Sequence, residues 1–236
     1  MKKLNRNQIK YLVVLAMVLD HIGWAFFPVG SLEGQLLHFV GRLTGPTMAF
    51  FLEEGYEHTR NPRRYALRLG LFALISAVPY ALFESGKPFN LQQNVMYTLF
   101  LGFLGMWAWD RGPWNITRKK WIVSALVVLS VIGDWPVMDV LCPVLMFRNR
   151  EEPQEKWNSF LLVSFISFVM SVTGWEPLWY GAFSFGMILP CLLLRYCYSG
   201  EQGSNNPIHK WFFYIFYPAH LLVLWYLRDK VGLILN

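Results

Sequence analysis

The sequence predicts an all-α, polytopic bundle of membrane-spanning helices, and three observations predict it. Of its 236 residues, 55% are apolar and 17% aromatic while only 15% are charged, whereas soluble domains carry about a quarter charged residues. The apolar residues gather in runs close to the roughly 20 that a helix needs to cross a hydrocarbon core about 30 Å thick. The lysines and arginines sit in short clusters between those runs. The net charge of +6 therefore reads as membrane topology and not as a nucleic-acid interface, which needs basic residues gathered on one face. A soluble enzyme, a disordered chain and a disulfide scaffold all fit poorly. Cys142, Cys191 and Cys197 are odd in number and lie within or beside apolar runs, so they indicate neither a disulfide framework nor a zinc site.

Taken in order, the expected spans lie near 9–27, 35–57, 65–84, 94–110, 120–134, 137–147, 158–174, 178–197 and 209–228. The pair 120–134 and 137–147 is short and divided by Gly133-Asp134-Trp135-Pro136, which reads as one full span followed by a broken or re-entrant one. With the N-terminus inside, the cytoplasmic clusters are Lys2, Lys3, Arg6 and Lys10; Arg60, Arg63, Arg64 and Arg68; Arg111, Arg118, Lys119 and Lys120; Arg148, Arg150 and Lys156; and Arg195 with Lys210. Of all 21 basic residues, only Lys87, Arg228 and Lys230 fall on the opposite side, with Arg42 inside a span. That asymmetry favours nine crossings over eight, since dropping 137–147 would reverse every later loop. A secretory signal would suit the basic start and the run Tyr11 to Leu19, but Asp20-His21 follows at once and no small-x-small cleavage pattern appears. The expected organisation is one domain, 1–236, with a short cytoplasmic N-terminus (1–8) and a flexible cytoplasmic loop at 198–208.

Ionisable groups inside spans are costly, about 2.5–3.5 kcal/mol at a helix centre on translocon scales, so each is a functional candidate. Asp20 and His21, in the outer half of the first helix, point about 100° apart. A carboxylate near a buried histidine fixes its tautomer and stabilises the imidazolium, as a general base or transient acyl acceptor requires. The competing reading pairs Asp20 with Arg42 and leaves His21 on a backbone carbonyl. Arg42 heads Gly41-Arg42-Leu43-Thr44-Gly45-Pro46 with His38 one turn earlier, a stretch that reads as an irregular helix. Its guanidinium suits a carboxylate, a phosphate or a developing oxyanion. Glu54 and His58, like Glu53 and Glu57, are spaced i, i+4 and run into the loop of Arg60, Arg63, Arg64 and Arg68. Four arginines there suit a phosphorylated ligand, and equally suit anionic lipid head groups. His220 follows Tyr217 and Pro218 in the last helix, and Asn94 opens the fourth with Tyr97 on its face. No Walker A loop, His-Glu-x-x-His, Gly-x-Ser-x-Gly elbow or metal-ligand set is present in the sequence.

The order of these motifs resembles the TraX family, named for a pilin-acetylating membrane protein. The resemblance rests on Leu19-Asp20-His21-Ile22-Gly23, on Gly41-Arg42 with Pro46 and Ala49-Phe50, and on Glu54-Gly55-Tyr56-Glu57-His58-Thr59-Arg60-Asn61. Ala73-Leu74-Ile75-Ser76 with Pro79, Asn94-Val95 with Thr98-Leu99, and Phe216-Tyr217-Pro218-Ala219-His220-Leu221 continue it, from about Ile9 to Leu224. It implies acetyl-CoA-dependent transfer to an amino group, or a hydroxyl, of a membrane-associated or exported substrate such as a pilin N-terminus, in the bacterial inner membrane and with no metal. It assigns the catalytic role to His21 with Asp20 orienting it, Arg42 beside it and His220 as a second candidate. The CoA phosphates are expected on Arg60, Arg63 and Arg64 together with Arg68 or the Arg118-Lys119-Lys120 cluster, and Arg42, Asn94 or Tyr97 on the oxyanion, with Tyr217 near His220. His58 becomes the better base if His21 is too far from the arginines. The competing classes are a small transporter or lipid-handling protein using Asp20, His21, Arg42 and His220 as a relay, and an assembly subunit whose buried charges serve only packing.

Overall fold

A computed structural model describes residues 3–204 and 206–232, and within them the chain is all-helical. Lys2 of the first basic cluster, and Asn205 of the expected loop, lie outside the described residues. The helices are α1 (Arg6–Phe26), α2 (Leu32–Gly41), α3 (Thr44–Glu57), α4 (Pro62–Ser85), α5 (Val95–Arg111), α6 (Ile116–Leu129), α7 (Met138–Arg148), α8 (Pro153–Thr173), α9 (Leu178–Cys197) and α10 (Pro207–Asp229). Four of them, α1, α4, α8 and α9, are long and apolar enough to cross a membrane. Their outward faces carry Leu15, Leu67, Leu74, Leu162 and Phe165, all more than half exposed, as suits helices surrounded by hydrocarbon. The chain forms two compact units: one of residues 1–47, 79–88 and 168–236, the other of 48–78 and 89–167.

Local chemistry sets the helix ends. At α1 a capping box joins Asn5 and Gln8, each side chain accepting from the other's backbone N–H at 3.0 Å. Asn94 and Asn115 cap α5 and α6 by accepting from the Tyr97 and Arg118 N–H, and Asn206 precedes Pro207 at the start of α10. The expected single span at 35–57 is two helices. Pro46 has no N–H to offer the carbonyl of Arg42, so the helix closes at Gly41 and restarts at Thr44, with a tight bond from Leu43 N–H to the Val40 carbonyl. The expected 120–134 is α6 followed by a 3₁₀ turn, Ser130–Ile132. A tight γ-turn then reverses the chain: the Met138 N–H bonds the Pro136 carbonyl at 2.6 Å around Val137, whose φ is 65°. Helix α9 is itself composite, 3₁₀ over Leu178–Met187 and π over Leu193–Cys197. The segment expected as a flexible loop is pinned where it is described. Leu4 N–H bonds the Cys197 carbonyl, Ser199 N–H that of Leu4, and Arg6 N–H that of Glu201, at 2.7–2.9 Å.

In the unit of residues 48–78 and 89–167, buried charge is neutralised locally. Glu53 is fully buried, and the Lys156 ammonium lies 2.7 Å from its carboxylate and 3.3 Å from that of Glu57. The i, i+4 acidic stripe thus clamps a lysine that topology alone would have left in a loop. Asp139 in α7 is also fully buried and accepts a 2.7 Å hydrogen bond from the Thr98 hydroxyl of α5.

Candidate functional site

Asp20, His21, His38, Arg42, Tyr217 and His220 all belong to the unit that contains both chain ends. Helices α1 and α2 form an antiparallel hairpin across residues 27–31, closed by Ser31, which caps α2 through the Gly34 N–H at 3.0 Å. Two glycines let the helices approach. A Cβ on Gly41 would stand 2.3–2.5 Å from the Asp20 side chain, and one on Gly23 would stand 2.8 Å from Cε1 of His38. The hairpin therefore presses Asp20 against α2 and His38 against α1.

The Asp20 carboxylate is divided between two partners. Its Oδ1 lies 2.8 Å from Nδ1 of His38, and its Oδ2 accepts from the Arg42 guanidinium at 3.1 Å. A carboxylate facing arginine is ionised and can only accept, so Nδ1 of His38 carries the proton and Nε2 carries the lone pair. That Nε2 is buried without a hydrogen-bond partner, on a side chain 0% exposed. Leaving such an atom unsatisfied costs about 1–3 kcal/mol, which marks it as a place to look for function. Around the imidazole are Trp24, its ring centroid 4.0 Å away and tilted by 35°, and Phe183, edge-on at 5.4 Å. Phe183 also lies under the Arg42 guanidinium at 5.0 Å, so the cation is held by a carboxylate on one side and an aromatic face on another.

The expected orientation of His21 by Asp20 takes a different form. Consecutive helical residues diverge by about 100°, and with Asp20 turned to α2, His21 faces α10. Nδ1 of His21 is 3.1 Å from Nε2 of His220, whose own Nδ1 lies 3.0 Å from the Phe216 carbonyl. The carbonyl accepts, so the proton order is fixed: His220 donates from Nδ1, and its Nε2 accepts from Nδ1–H of His21. Phe83 meets the His21 ring edge-on at 5.2 Å, and Tyr217, 3% exposed, lies 5.7 Å from the His220 ring. The Asp20–Arg42 ion pair of the competing reading is present, as is its backbone hydrogen bond for His21, made to Met17; the His21–His220 and Asp20–His38 contacts stood in neither reading.

The remaining candidates lie in the other unit. His58 is exposed at the end of α3, its Nδ1 2.8 Å from the Glu54 carbonyl. Arg60, Arg63 and Arg64 are exposed where α4 begins, and Arg68, half-buried, lies over the Tyr65 ring at 5.2 Å. Asn94 is fully buried and structural in its contacts: its amide donates to the Ala73 carbonyl at 2.9 Å and its oxygen caps α5. Tyr97 donates to the Leu129 carbonyl at 3.2 Å.

His38 is the residue that sequence reasoning passed over when it chose site residues. Its signal was present in the i, i+4 spacing to Arg42, with glycines on both facing helices.

Comparison with known proteins places these features. No solved structure matches the chain. It is 29% identical over 229 residues, covering 92% of this chain and 93% of the relative, to a protein of Dichelobacter nodosus described as "Probable fimbrial assembly protein FimC, serogroup H1". The family model described as TraX protein matches residues 5–228, from the first helix cap to the end of α10, and the chain belongs to the TraX family.

Proposed function

We propose that this protein is an integral membrane acetyltransferase that moves an acetyl group from acetyl-CoA to an amino group of an exported protein. The observation that carries the reading is the buried carboxylate–imidazole–guanidinium set of Asp20, His38 and Arg42. A structural ion pair needs no histidine with an unused lone pair, whereas amine acylation needs a base that is neutral and held in one tautomer. An assembly subunit whose buried charges only pack would account for Asp20–Arg42 and for Glu53–Lys156 but leaves Nε2 of His38 unexplained.

The reading extends to several finer points. Its acceptor is a fimbrial or pilin subunit N-terminus, by the kinship to a fimbrial assembly protein. The chain crosses the bacterial inner membrane nine times with its N-terminus in the cytoplasm, by the asymmetry of its basic residues. Arg60, Arg63 and Arg64, with Arg68, form an exposed basic surface suited to the CoA phosphates. His21 and His220, joined by their own hydrogen bond, tie α1 to α10 within the same unit.

The test is to incubate the full chain, purified into nanodiscs, with radiolabelled acetyl-CoA and a membrane extract as acceptor source. Label in a protein band, with stoichiometric release of CoA thiol, is expected. A folded protein that neither binds acetyl-CoA nor releases thiol overturns the reading.

A further inference from the structure

Resting on the acetyltransferase reading, we propose that His38, and not His21, is the catalytic base, with Asp20 as its positioning residue and Nε2 as the atom that takes the acceptor's proton. The two histidine sets differ in what holds the ring that keeps a lone pair. In the His21–His220 pair, His220 spends both nitrogens, while His21 spends Nδ1 on a neutral imidazole, which supplies no charge to balance a proton placed on its own Nε2. His38 also spends only Nδ1, but on a carboxylate that itself is anchored by Arg42, and its Nε2 is buried and bare.

The surroundings of that ring suit the charge it would acquire. Protonation at Nε2 makes an imidazolium whose Nδ1–H already points at the Asp20 carboxylate and whose face lies 4.0 Å from the Trp24 indole, two interactions that strengthen when the ring becomes a cation. Trp24 is 37% exposed, so the indole covering the imidazole also reaches the surface of the unit.

The chemistry balances without a further reactant. The neutral acceptor amine attacks the thioester carbonyl carbon of acetyl-CoA, forming the C–N bond. As that bond forms, the amine proton passes to Nε2 of His38. The C–S bond then breaks and the CoA thiolate leaves, taking the proton back from Nε2. The products are the N-acetylated acceptor and CoA thiol, and His38 is returned to its starting tautomer.

The test uses the full chain in nanodiscs, acetyl-CoA as donor and membrane extract as acceptor source, reading thiol release, labelled product and acetyl-CoA affinity for His38→Gln, Asp20→Asn and His21→Gln. A general base is worth about 10²–10⁴-fold. His38→Gln is therefore expected to lose at least a hundredfold in kcat with KM for acetyl-CoA within threefold of wild type. Asp20→Asn, which keeps the shape of the side chain, covers the case in which His38→Gln fails to fold. It is expected to lose kcat in the same manner, with KM unmoved. His21→Gln is expected to stay within tenfold. Full activity in folded His38→Gln or Asp20→Asn, or a loss confined to His21→Gln, overturns the assignment while leaving the acetyltransferase reading standing. Absence of thiol release from wild type removes both.

Discussion

Substituting Gly41 by alanine adds one methyl group at the point where α2 crosses Asp20. The new Cβ would stand 2.3 Å from Cγ of Asp20, where ordinary contact begins at 3.4 Å, so one partner must withdraw by about 1.1 Å. The three atoms nearest the methyl all belong to Asp20, a short, buried side chain with little freedom to turn aside. Taken along the Asp20–His38 bond, that displacement stretches 2.8 Å to about 3.9 Å, beyond hydrogen-bond reach. The Arg42 contact on the other oxygen, already 3.1 Å, is disturbed by the same motion. Overpacking of this kind costs about 1–3 kcal/mol, and a misplacement near 1 Å in a catalytic group costs about a hundredfold in rate. The assay is thermal unfolding in nanodiscs together with acetyl transfer. Gly70→Ala serves as control, since its Cβ would meet the Phe100 ring at an ordinary 3.4 Å. The expected result is a lowered melting temperature and a hundredfold loss of transfer for Gly41→Ala, with Gly70→Ala near wild type in both. Wild-type stability and activity in Gly41→Ala would refute the reasoning, because Asp20 would then have room that the helix crossing denies it.

Other expectations follow from the same geometry. Lys156→Met leaves the fully buried Glu53 carboxylate without its cation and should destabilise the protein by about 3–5 kcal/mol, with Glu53→Gln/Lys156→Met recovering most of it, both read by thermal melting. Val137→Gly should raise stability by about 0.5–1 kcal/mol, because a β-branched residue at φ 65° carries strain that glycine does not; a lower melting temperature would show the turn to be relaxed. Replacing Arg60, Arg63 and Arg64 together by alanine should weaken acetyl-CoA binding at least tenfold, measured by equilibrium binding, and leave the melting temperature within a few degrees of wild type, since all three side chains are exposed.

The helices most legible in the sequence were those whose apolar runs end abruptly. The expected 65–84, 94–110, 178–197 and 209–228 lie within a few residues of α4, α5, α9 and α10 because proline, asparagine and charge clusters mark where each run stops. The expected 35–57 was correct in content and wrong in continuity, since a single absent N–H at Pro46 separates α2 from α3 without any change in hydropathy. The site was legible to the same depth. Asp20, His21, Arg42 and His220 stand out because an ionisable group in an apolar run has few reasons to exist. The Asp20–Arg42 pair could be read from the sequence, but the partners of His21 and His38 could not, because they depend on the rotation of one helix against another. Gly23 and Gly41 set that rotation, and spacing along one chain does not encode it.

The hydrogen bond between His21 and His220 joins positions 199 residues apart, and that separation has a consequence for biosynthesis. At about 5–20 residues per second, a ribosome needs about 10–40 s after making His21 before His220 exists. Asp20 waits far less, since His38 and Arg42 emerge almost at once and the α1–α2 hairpin can close around it. His21 therefore has only its own helix, through the Met17 backbone, to answer its polar edge while the whole of the other unit is synthesised. Leu4 also waits, since its backbone partners on Cys197 and Ser199 come late. A chain halted before α10 already holds both Asp20 partners but lacks the imidazole that His21 meets in the finished molecule.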